Sequence, residues 1–402
     1  MSLPPIAALE IGTTKVRVLI GESREDGQIM ITGLGEAPSR GIRKAEVVDF
    51  DVALSCVRSA IKMAEANGHV TIHQVHLVAS GGHIQAMVNR GSVPVIDPSE
   101  ITREDMEHAM DTARAVCLQQ ERVPLHTICQ RFYIDDQHGV VSPEGMEGSK
   151  LSVEMLILHG VRGRLRNTVK VVRSVPMDVQ DVAFGGLCSA LAVLHPEQKE
   201  RGSIVIDLGG GTTDFVVYAK NAIALAGSLS VGGDHITNDI ATGLRIGSTG
   251  QAEKLKEKFG NAMLDISVRR KKVAIPEEVG SSERFVGVYD LNTIVHVRME
   301  ETFTMIRDLL DREGLLHMLG AGVVLCGGGS HLENVEKLAG KVFSLPCEVG
   351  RPRNVSGLAT VTEGPEFAAT VGMVRYGFRT AKQGSSPASL RSIWKLIFGG
   401  LS

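Results

Sequence analysis

The chain has 402 residues, of which 43% are hydrophobic and 22% are charged, and its formal net charge is −3. A chain of this length and composition is typical of a soluble globular protein with more than one domain, and the balanced charge argues against nucleic acid as a partner. The six cysteines are dispersed without a CxxC pair, which indicates reduced thiols. No run of about 18 apolar residues occurs and no signal peptide is recognisable, so we expect a cytosolic protein without a membrane-spanning helix.

An apolar strand, an acid and a glycine–threonine turn stand near the start of the chain. Residues 6 to 20 read IAALEIGTTKVRVLI, with Glu10 before the turn and Gly12 within it. Apolar β-formers on both sides of such a turn predict a β-hairpin. Because the turn has no bulky side chain apart from Lys15, its backbone N–H groups and threonine hydroxyls are available to phosphate oxygens.

The next 140 or so residues divide into two parts by their hydrophobic patterns. Strands are predicted at 29–34 and 75–79, and between them a helix at 50–67 whose apolar face comprises Val52, Cys56, Val57, Ala60, Ile61 and Ala64. Beyond residue 82 a second helix follows a capping box of Thr102 and Asp105, with a face of Met106, Met110, Ala113 and Cys117. Strands at 127–134 and 151–159 follow. We predict that residues 83–161 form an inserted small α+β subdomain.

A second acid–glycine–threonine turn occurs about half a chain length after the first. A basic helix at 165–173 and a small-residue apolar helix at 179–194, interpreted as a hinge, precede the sequence VIDLGGGTTD, which starts at Val205 and continues into FVVY. This is the first hairpin in a longer form, with Asp207 in the position of Glu10. Asp207 can hold a hydrated Mg²⁺ beside bound phosphates. A glycine-rich hairpin without a ligand is the alternative; the repeat favours two similar α/β halves that share a phosphate-binding cleft.

Several further elements are predicted between residues 223 and 343. They are a strand at 223–231, helices at 234–243 and 251–260, an exposed basic hairpin tip formed by 269–276, and a long helix at 291–313. Residues 321–330 read AGVVLCGGGS, which predicts a buried strand that ends in Gly327 and runs into a helix from His331. The turn places backbone N–H groups at a helix start, where an adenosine or a phosphate can lie without steric conflict.

The last segment is amphipathic. Residues 389–402 read SLRSIWKLIFGGLS, and on a helix one face would carry Leu390, Ile393, Trp394, Ile397, Phe398 and Leu401. A helix this short is marginal in water, so we expect it to form when an anionic lipid surface accepts that face. A terminal helix packed on its own domain is the alternative.

These motifs together resemble the actin/Hsp70/sugar-kinase ATPase superfamily, and within it the FtsA family of bacterial cell-division proteins. The resemblance covers nearly the whole chain. Its segments include LEIGTTKV, PSRGIRK at 38–44, FGGLCSALAVL, VIDLGGGTTD, AEKLK, VVLCGGGS and VGMVRYG, together with the position of the inserted subdomain. It implies an α/β actin-like fold of two lobes, formed from duplicated ribonuclease-H-like halves around a nucleotide cleft, with an SHS2-like insert and a C-terminal amphipathic helix.

The resemblance also implies a function and domain boundaries. The function is that of an ATP-binding protein that polymerises on the cytoplasmic face of the inner membrane at the division septum, anchors FtsZ filaments and meets other division proteins. The implied boundaries are 1–82, 162–198 and 361–380 for the first lobe, 83–161 for the insert, 199–232 and 317–360 for subdomain 2A, 233–316 for subdomain 2B, 381–388 for a linker and 389–402 for the membrane helix.

Ligand residues carry over from the family motifs. They are Gly12, Thr13, Thr14 and Lys15 for the first phosphate turn; Asp207, Gly209, Gly210, Gly211, Thr212 and Thr213 for the second; Glu253 and Lys256 for the ribose; and Gly327, Gly328, Gly329 and Ser330 for the adenosine. Mg²⁺ is expected at Asp207 through water. Glu10 stands where many superfamily members have Asp, so it is the weaker metal candidate.

Slow or negligible ATP hydrolysis is expected. Hydrolysis needs a residue that orients water toward the terminal phosphate. Residues 184–194, which belong to the predicted hinge helix, contain neither Gln nor Glu. Gln180, Asp181 and Asp214 are the weak candidates. Two other functions share the phosphate turns: a PilM-like or Hsp70-like assembly scaffold, and a sugar or acid kinase.

The predicted membrane helix can be tested directly. Trp394→Glu together with Phe398→Glu places two charges on the apolar face, which should abolish co-sedimentation of the full chain with anionic vesicles while leaving ATP binding intact. Sedimentation equal to that of the unmodified chain would reject the anchor.

Overall fold

The computed structural model describes residues 3–24, 27–137, 139–275 and 284–382. Its strands are β1 (Ile6–Ile11), β2 (Lys15–Ser23), β3 (Ile29–Pro38), β4 (Ile42–Arg43), β5 (Glu46–Val47), β6 (Gln74–Ala79), β7 (Gln85–Pro94), β8 (Arg122–Ile134), β9 (Lys150–Val161), β10 (Asp178–Phe184), β11 (Ser203–Leu208), β12 (Thr213–Ala219), β13 (Ala222–Leu229), β14 (Lys272–Ala274), β15 (Phe285–Gly287), β16 (Val323–Cys326), β17 (Cys347–Val349) and β18 (Val355–Gly357). Its α-helices are α1 (Phe50–Gly68), α2 (Arg103–Arg114), α3 (Arg162–Ser174), α4 (Gly185–Val193), α5 (Pro196–Arg201), α6 (Gly233–Gly243), α7 (Thr249–Phe259), α8 (Val288–Arg312), α9 (Val335–Phe343), α10 (Ala359–Glu363) and α11 (Ala368–Lys382).

Two sheets form the two lobes and share one plan. The first has the order β10-β6-β1-β2-β3-β18 and the second β13-β12-β11-β16-β17. In each, an antiparallel hairpin, β1–β2 or β11–β12, has a parallel neighbour on its first strand, β6 or β16. The predicted repeat of an acid–glycine–threonine hairpin is therefore confirmed. The first strand of each hairpin is central in its sheet and buried. Each turn therefore leaves its sheet at the end of a central strand.

Helix α1 covers the first sheet and confirms the predicted helix at 50–67. Its start is fixed by Asp49, whose side chain accepts a hydrogen bond from the backbone N–H of Val52. Val52 itself is 37% exposed, and Ala53 occupies the buried face in its place. The predicted face was wrong at that position because the buried row of the helix starts at Ala53 and continues through Val57, and Val52 lies to one side of it.

The inserted subdomain is a three-stranded sheet, β7-β9-β8, with α2 packed on it. The predicted capping box of Thr102 and Asp105 is present. Helix α2 ends at Arg114, so Cys117 lies beyond it and is exposed, contrary to its predicted place on the apolar face. The insert also packs against β13, the edge strand of the second sheet, where the Gln130 side chain donates to the carbonyl of Ile223 at 2.7 Å.

The predicted hinge helix at 179–194 was wrong in its first half. Residues 178–184 form strand β10, which pairs in parallel with β6, and only Gly185–Val193 is helical. A short apolar run fits a buried helix and a buried strand equally well, and here the partner strand decides. Helix α4 is almost entirely buried against α11, and a Cβ on Gly372 would lie 1.7 Å from the carbonyl oxygen of Cys188.

Three other predicted elements differ in detail. The basic run at 269–272 lies at the end of a 3₁₀ helix (Ile266–Arg270) and the start of β14, which pairs with β15. Pro276, the last residue of the predicted tip at 269–276, lies outside the described residues. The helix predicted from His331 begins at Val335, after a 3₁₀ turn over Gly328–His331. Strand β18, which the predicted boundaries give to the second lobe, pairs with β3 of the first sheet.

The predicted membrane-binding residues Leu390, Ile393, Trp394, Ile397, Phe398 and Leu401 lie outside the described residues. Within the described ranges, no helix is both long and apolar enough to cross a membrane.

The contact between α4 and α11 gives a test of the packing. Gly372→Ala should lower the free energy of unfolding by roughly 1–3 kcal/mol or more, because the added methyl group meets backbone that cannot rotate away. The matched control is Gly163→Ala in α3, where a Cβ meets nothing within 4 Å. We expect the control to unfold at the same or a slightly higher urea concentration. Equal midpoints for the two variants would contradict the close contact.

Candidate functional site

A cavity of about 490 Å³ lies between the two lobes, within the range of small-molecule sites. Most residues that the sequence assigned to a ligand line it. They are Glu10, Gly12, Thr13, Thr14, Lys15, Asp207, Gly209, Gly210, Gly211, Thr212, Thr213, Asp214, Glu253, Lys256, Gly327, Gly328 and Gly329. Ser330 does not line the cavity; its hydroxyl donates to the carbonyl of Gly327 at 2.6 Å and so shapes the turn.

The two hairpin turns have the same local geometry. The N–H of Gly12 donates to the carbonyl of Lys15 at 3.0 Å, and the N–H of Gly209 donates to the carbonyl of Thr212 at 2.9 Å. The turns also touch, since a Cβ on Gly210 would lie 2.2 Å from the Thr14 hydroxyl. Glycine is required here by the approach of the opposite turn, and the residues of both turns line the cavity.

A tight hairpin of β4 and β5 lies beside the first turn. No motif in the sequence indicated that it would contact the site. Its Lys44 and Ala45 have φ of 51° and 60°, a left-handed conformation that disfavours both residue types. The Ala45 N–H donates to the Thr13 hydroxyl at 3.0 Å. A Cβ on Gly211 would lie 2.9 Å from the Cα of Lys44, so the hairpin touches both phosphate turns.

Three carboxyl groups lie at the floor of the cavity: Asp214 is buried, and Glu10 and Asp207 are partly buried. Burial raises the pKa of Glu10 to about 7, against the lowering effect of Arg17, and burial raises the pKa of Asp214 to about 7. Burial also raises the pKa of Asp207, whose carboxylate accepts a hydrogen bond from Ser189. The negative charges of Asp207 and Glu10 add to the effect on Asp214.

The acids fit a cation held through water. In the part of the chain that the structure describes, no group of three or more His, Cys, Asp or Glu side chains is arranged to ligate a metal directly. Hydrated Mg²⁺ needs only one or two carboxylates and phosphate oxygens. Glu10 Oε2 has no hydrogen-bond partner, and its nearest cation is Arg17 at 3.7 Å. Because Arg17 also pairs with Glu36 at 2.8 Å, it compensates the Glu10 carboxylate only in part.

Helix α7 supplies a lysine and a glutamate to the cavity wall. Lys256 Nζ donates to Glu253 at 2.7 Å, to the Thr237 hydroxyl at 2.9 Å and to the carbonyl of Gly233 at 3.1 Å. Thr237 also donates to the Glu253 carboxylate. This network fixes α7 to the first turn of α6 and holds the Glu253 carboxylate, a hydrogen-bond acceptor suited to sugar hydroxyls, at the cavity.

The third glycine turn follows β16. Gly327 has φ of +82°, and a Cβ there would lie 2.3 Å from Asp207 Oδ1. A Cβ on Gly329 would meet the Leu208 side chain at 2.7 Å, whereas one on Gly328 would meet nothing within 4 Å. The turn therefore packs on the second phosphate hairpin with two glycines and leaves a surface without side chains at the third, where a flat ring can lie.

Of the three candidate catalytic residues, Asp214 is the one that lines the cavity. Gln180 and Asp181 lie on β10, away from the cavity lining, because that segment is a strand rather than the predicted helix. Asp214 lines the cavity, but one of its carboxylate oxygens accepts from Ser80 at 2.6 Å and the other from Ser228 at 2.6 Å. The sequence did not indicate either serine; both are isolated in it.

Two lobes around a cleft lined by paired glycine hairpins define the actin-like class of proteins, and solved structures agree. The PilM–PilN type IV pilus biogenesis complex has a chain with a TM-score of 0.64 and 17% identity, aligned over 92% of this chain and 98% of that one. MreB5 of Spiroplasma citri bound to ADP gives a TM-score of 0.55 and 13% identity, over 94% of this chain and 97% of that one. These likenesses establish the fold.

The sequence comparisons establish the family. Residues 204–372 match the model of cell division protein FtsA, and residues 81–159 match the SHS2 domain inserted in FtsA. Cell division protein FtsA of Pseudomonas aeruginosa is 33% identical over 381 residues, which cover 95% of this chain and 91% of that protein. The chain belongs to the FtsA family of cell division proteins, and the resemblance inferred from its motifs is confirmed.

The buried acids predict a pH dependence. The pKa of Asp214 is about 7 in the folded chain against an ordinary value of 3.8, so its contribution to stability is fully present below about pH 4 and is lost as the pH rises to 7. Asp214→Asn should make the fall of the free energy of unfolding across that window shallower, by up to about 1.4 kcal/mol per pH unit. Urea denaturation between pH 4 and 8 measures it.

The control for this prediction is Asp311→Asn, which changes an exposed acid on α8. It should leave the slope of stability against pH unchanged. Parallel curves for Asp214→Asn and the unmodified chain would show that Asp214 is ionised throughout the window.

Proposed function

We propose that the cleft binds ATP together with Mg²⁺. The observation that carries the proposal is the convergence on one cavity of two facing glycine turns, buried acids between them and a third glycine turn free of side chains. ADP in the MreB5 structure, a protein of the same fold, supports a nucleotide as the ligand. Bound Mg²⁺ would supply positive charge beside the phosphates. That charge would also balance the carboxyl groups at the floor of the cavity.

Different groups of residues contact different parts of the nucleotide. In our proposal the turns at residues 12–15 and 209–213 hold the phosphates through N–H groups that are not used within the turns. Asp207 holds the hydrated cation, and Glu10 supports it more weakly. Glu253 and Lys256 contact the ribose. The adenine ring lies on Gly328, in the turn of residues 327–330.

ATP turnover is proposed to be slow or negligible. A base must lie within hydrogen-bond reach of the attacking water, directly or through another water. Gln180 and Asp181 lie outside the cavity lining, and both Asp214 oxygens already accept hydrogen bonds from serines. ATP would then act chiefly as a ligand that favours the closed form of the two lobes.

The family supports the cellular role. We propose that the chain assembles into filaments on the cytoplasmic face of the membrane at the division septum, attached by residues 389–402, and anchors FtsZ and further division proteins. Helix α8 is the proposed FtsZ contact. Its Arg298 is held by Asp239 and Glu301, both at 2.6 Å, while Val297 and Met305 are 57% and 43% exposed and offer an apolar surface.

A second candidate is an assembly scaffold that does not bind FtsZ, like PilM or Hsp70. The PilM–PilN likeness favours it at the level of fold only. A sugar or acid kinase fits less well, because Asp214, the acid nearest to a catalytic role, is occupied by two serines.

One experiment tests the proposed function. Purified chain is mixed with FtsZ and anionic vesicles, with and without Mg²⁺ and ATP, and the vesicles are pelleted. We expect FtsZ in the pellet only when the chain is present, more of it with ATP, and little phosphate release during the reaction. FtsZ that stays in the supernatant while the chain pellets would favour the scaffold, and brisk phosphate release would overturn slow turnover.

The nucleotide dependence has a matched pair of variants. Gly210→Ala puts a methyl group between the two phosphate turns, so ATP affinity should fall about 100-fold or more, equivalent to roughly 2.7 kcal/mol. Gly247→Ala lies outside the cavity lining, and its Cβ meets nothing within 4 Å. That control should bind fluorescent ATP like the unmodified chain. Equal affinity for Gly210→Ala would place the phosphates elsewhere.

A further inference from the structure

Four cations lie together near the C-terminal half of α11. They are Lys199 on α5, Arg353 before β18, and Arg375 and Arg379 on α11, and we refer to them as the basic cluster. Lys199 Nζ lies 5.2 Å from the centre of the Tyr218 ring. Arg375 donates to the carbonyl of Leu191 at 2.5 Å and to the carbonyl of Arg353. Arg379 is one turn farther along the same side of α11.

No carboxylate compensates this charge. Among the residues that the structure describes, none of the four side chains forms an ion pair. Arg375 donates its hydrogen bonds to backbone carbonyl oxygens. Gln198, the residue before Lys199 on α5, donates to Glu348 at 2.7 Å. The C-terminal end of α11 favours cations, but Lys199 and Arg353 belong to other segments.

The charges disturb one another. Burial, followed by the positive charges of Arg379 and Arg375, lowers the pKa of Lys199 to about 8. Burial, Arg379 and Arg353 lower the pKa of Arg375 to about 10. Like charges kept this close without an acid are a cost to the fold, and an anion bound between them would remove it.

The course of the chain indicates which anion. Lys382 is the last described residue of helix α11; it is exposed and lies on the same side of the helix as Arg375 and Arg379. The chain continues directly into residues 383–402, which carry the apolar positions predicted to enter a bilayer. Residues 383–388, which separate α11 from the predicted membrane helix, reach at most about 20 Å, so a bilayer that accepts that helix stays close to this part of α11.

We propose that the basic cluster binds the phosphate groups of anionic lipid headgroups and forms a second membrane contact on the folded body. This inference rests on the proposed attachment through residues 389–402. The apolar tail holds the chain to the bilayer, and the cluster fixes which side of the folded body faces it. Lys199, Arg353 and the end of α11 thus define the membrane-facing side.

The test uses the full chain and two kinds of vesicle, pure phosphatidylcholine and phosphatidylcholine with phosphatidylglycerol. Lys199→Gln together with Arg379→Gln should weaken partition onto the anionic vesicles about fivefold per charge, hence roughly 25-fold, and leave partition onto neutral vesicles unchanged. The matched control, Arg270→Gln together with Lys272→Gln, removes the same charge from exposed positions on the second lobe. We expect the control to partition like the unmodified chain, and the cluster variant to show a shallower dependence on salt.

Folding is checked independently of lipid. Removing two mutually repelling charges should leave the thermal unfolding midpoint of the cluster variant unchanged or slightly higher, so a lower midpoint would show that these side chains are structural and would overturn the proposal. Inorganic phosphate added at constant ionic strength separates the two sources of the anion. Release from vesicles by phosphate, with chloride inactive, would assign the cluster to a free anion.

The outcomes separate this inference from the proposed anchor. Equal partition of the cluster variant and the unmodified chain, or equal loss in the control, would overturn the second contact even if the tail binds. Unchanged partition of the Trp394→Glu, Phe398→Glu variant would overturn the anchor. The comparison of the cluster variant with its control would still test the second contact. Absence of all binding by the unmodified chain would overturn both.

Discussion

Two hairpin turns meet at the floor of the cleft so closely that one methyl group on Gly210 would collide with Thr14. The rest of the site depends on this contact. It brings both turns to one cavity, together with the partly buried acids that precede them, Glu10 and Asp207. A larger residue would separate the lobes at this point and admit water to the acids, so the glycines set the geometry and the electrostatics together.

The cost of that arrangement is a negative floor that the protein alone does not balance. Glu10, Asp207 and Asp214 all have raised pKa values, chiefly from burial, and Arg17 offsets only part of the charge because it also serves Glu36. Such a floor favours a cation over an empty cleft. It therefore couples the stability of the closed form to the metal and the phosphates that we propose to lie above it.

The same floor connects the cleft to the inserted subdomain. Asp214 accepts from Ser80, the residue just before the insert, and from Ser228 on β13, against which the insert packs. A Cβ on Gly82 would lie 2.0 Å from the Ser230 hydroxyl, so the insert begins in close contact with the second lobe. Any change at Asp214 thus acts at the point where the first lobe, the second lobe and the insert meet.

The sequence alone determined both glycine–threonine hairpins, the third glycine turn, the capped helix of the insert and the family. These depend on local features: glycine at tight turns, apolar alternation, and Thr102 with Asp105 at a helix start. Tertiary structure decided what local features leave open. Residues 178–184 became a strand because β6 offers a parallel partner, and the roles of Ser80, Ser228, Arg17 and the basic cluster come from contacts between segments far apart in the chain. A lone serine or arginine carries no local signal, since its function depends on the groups that folding places next to it.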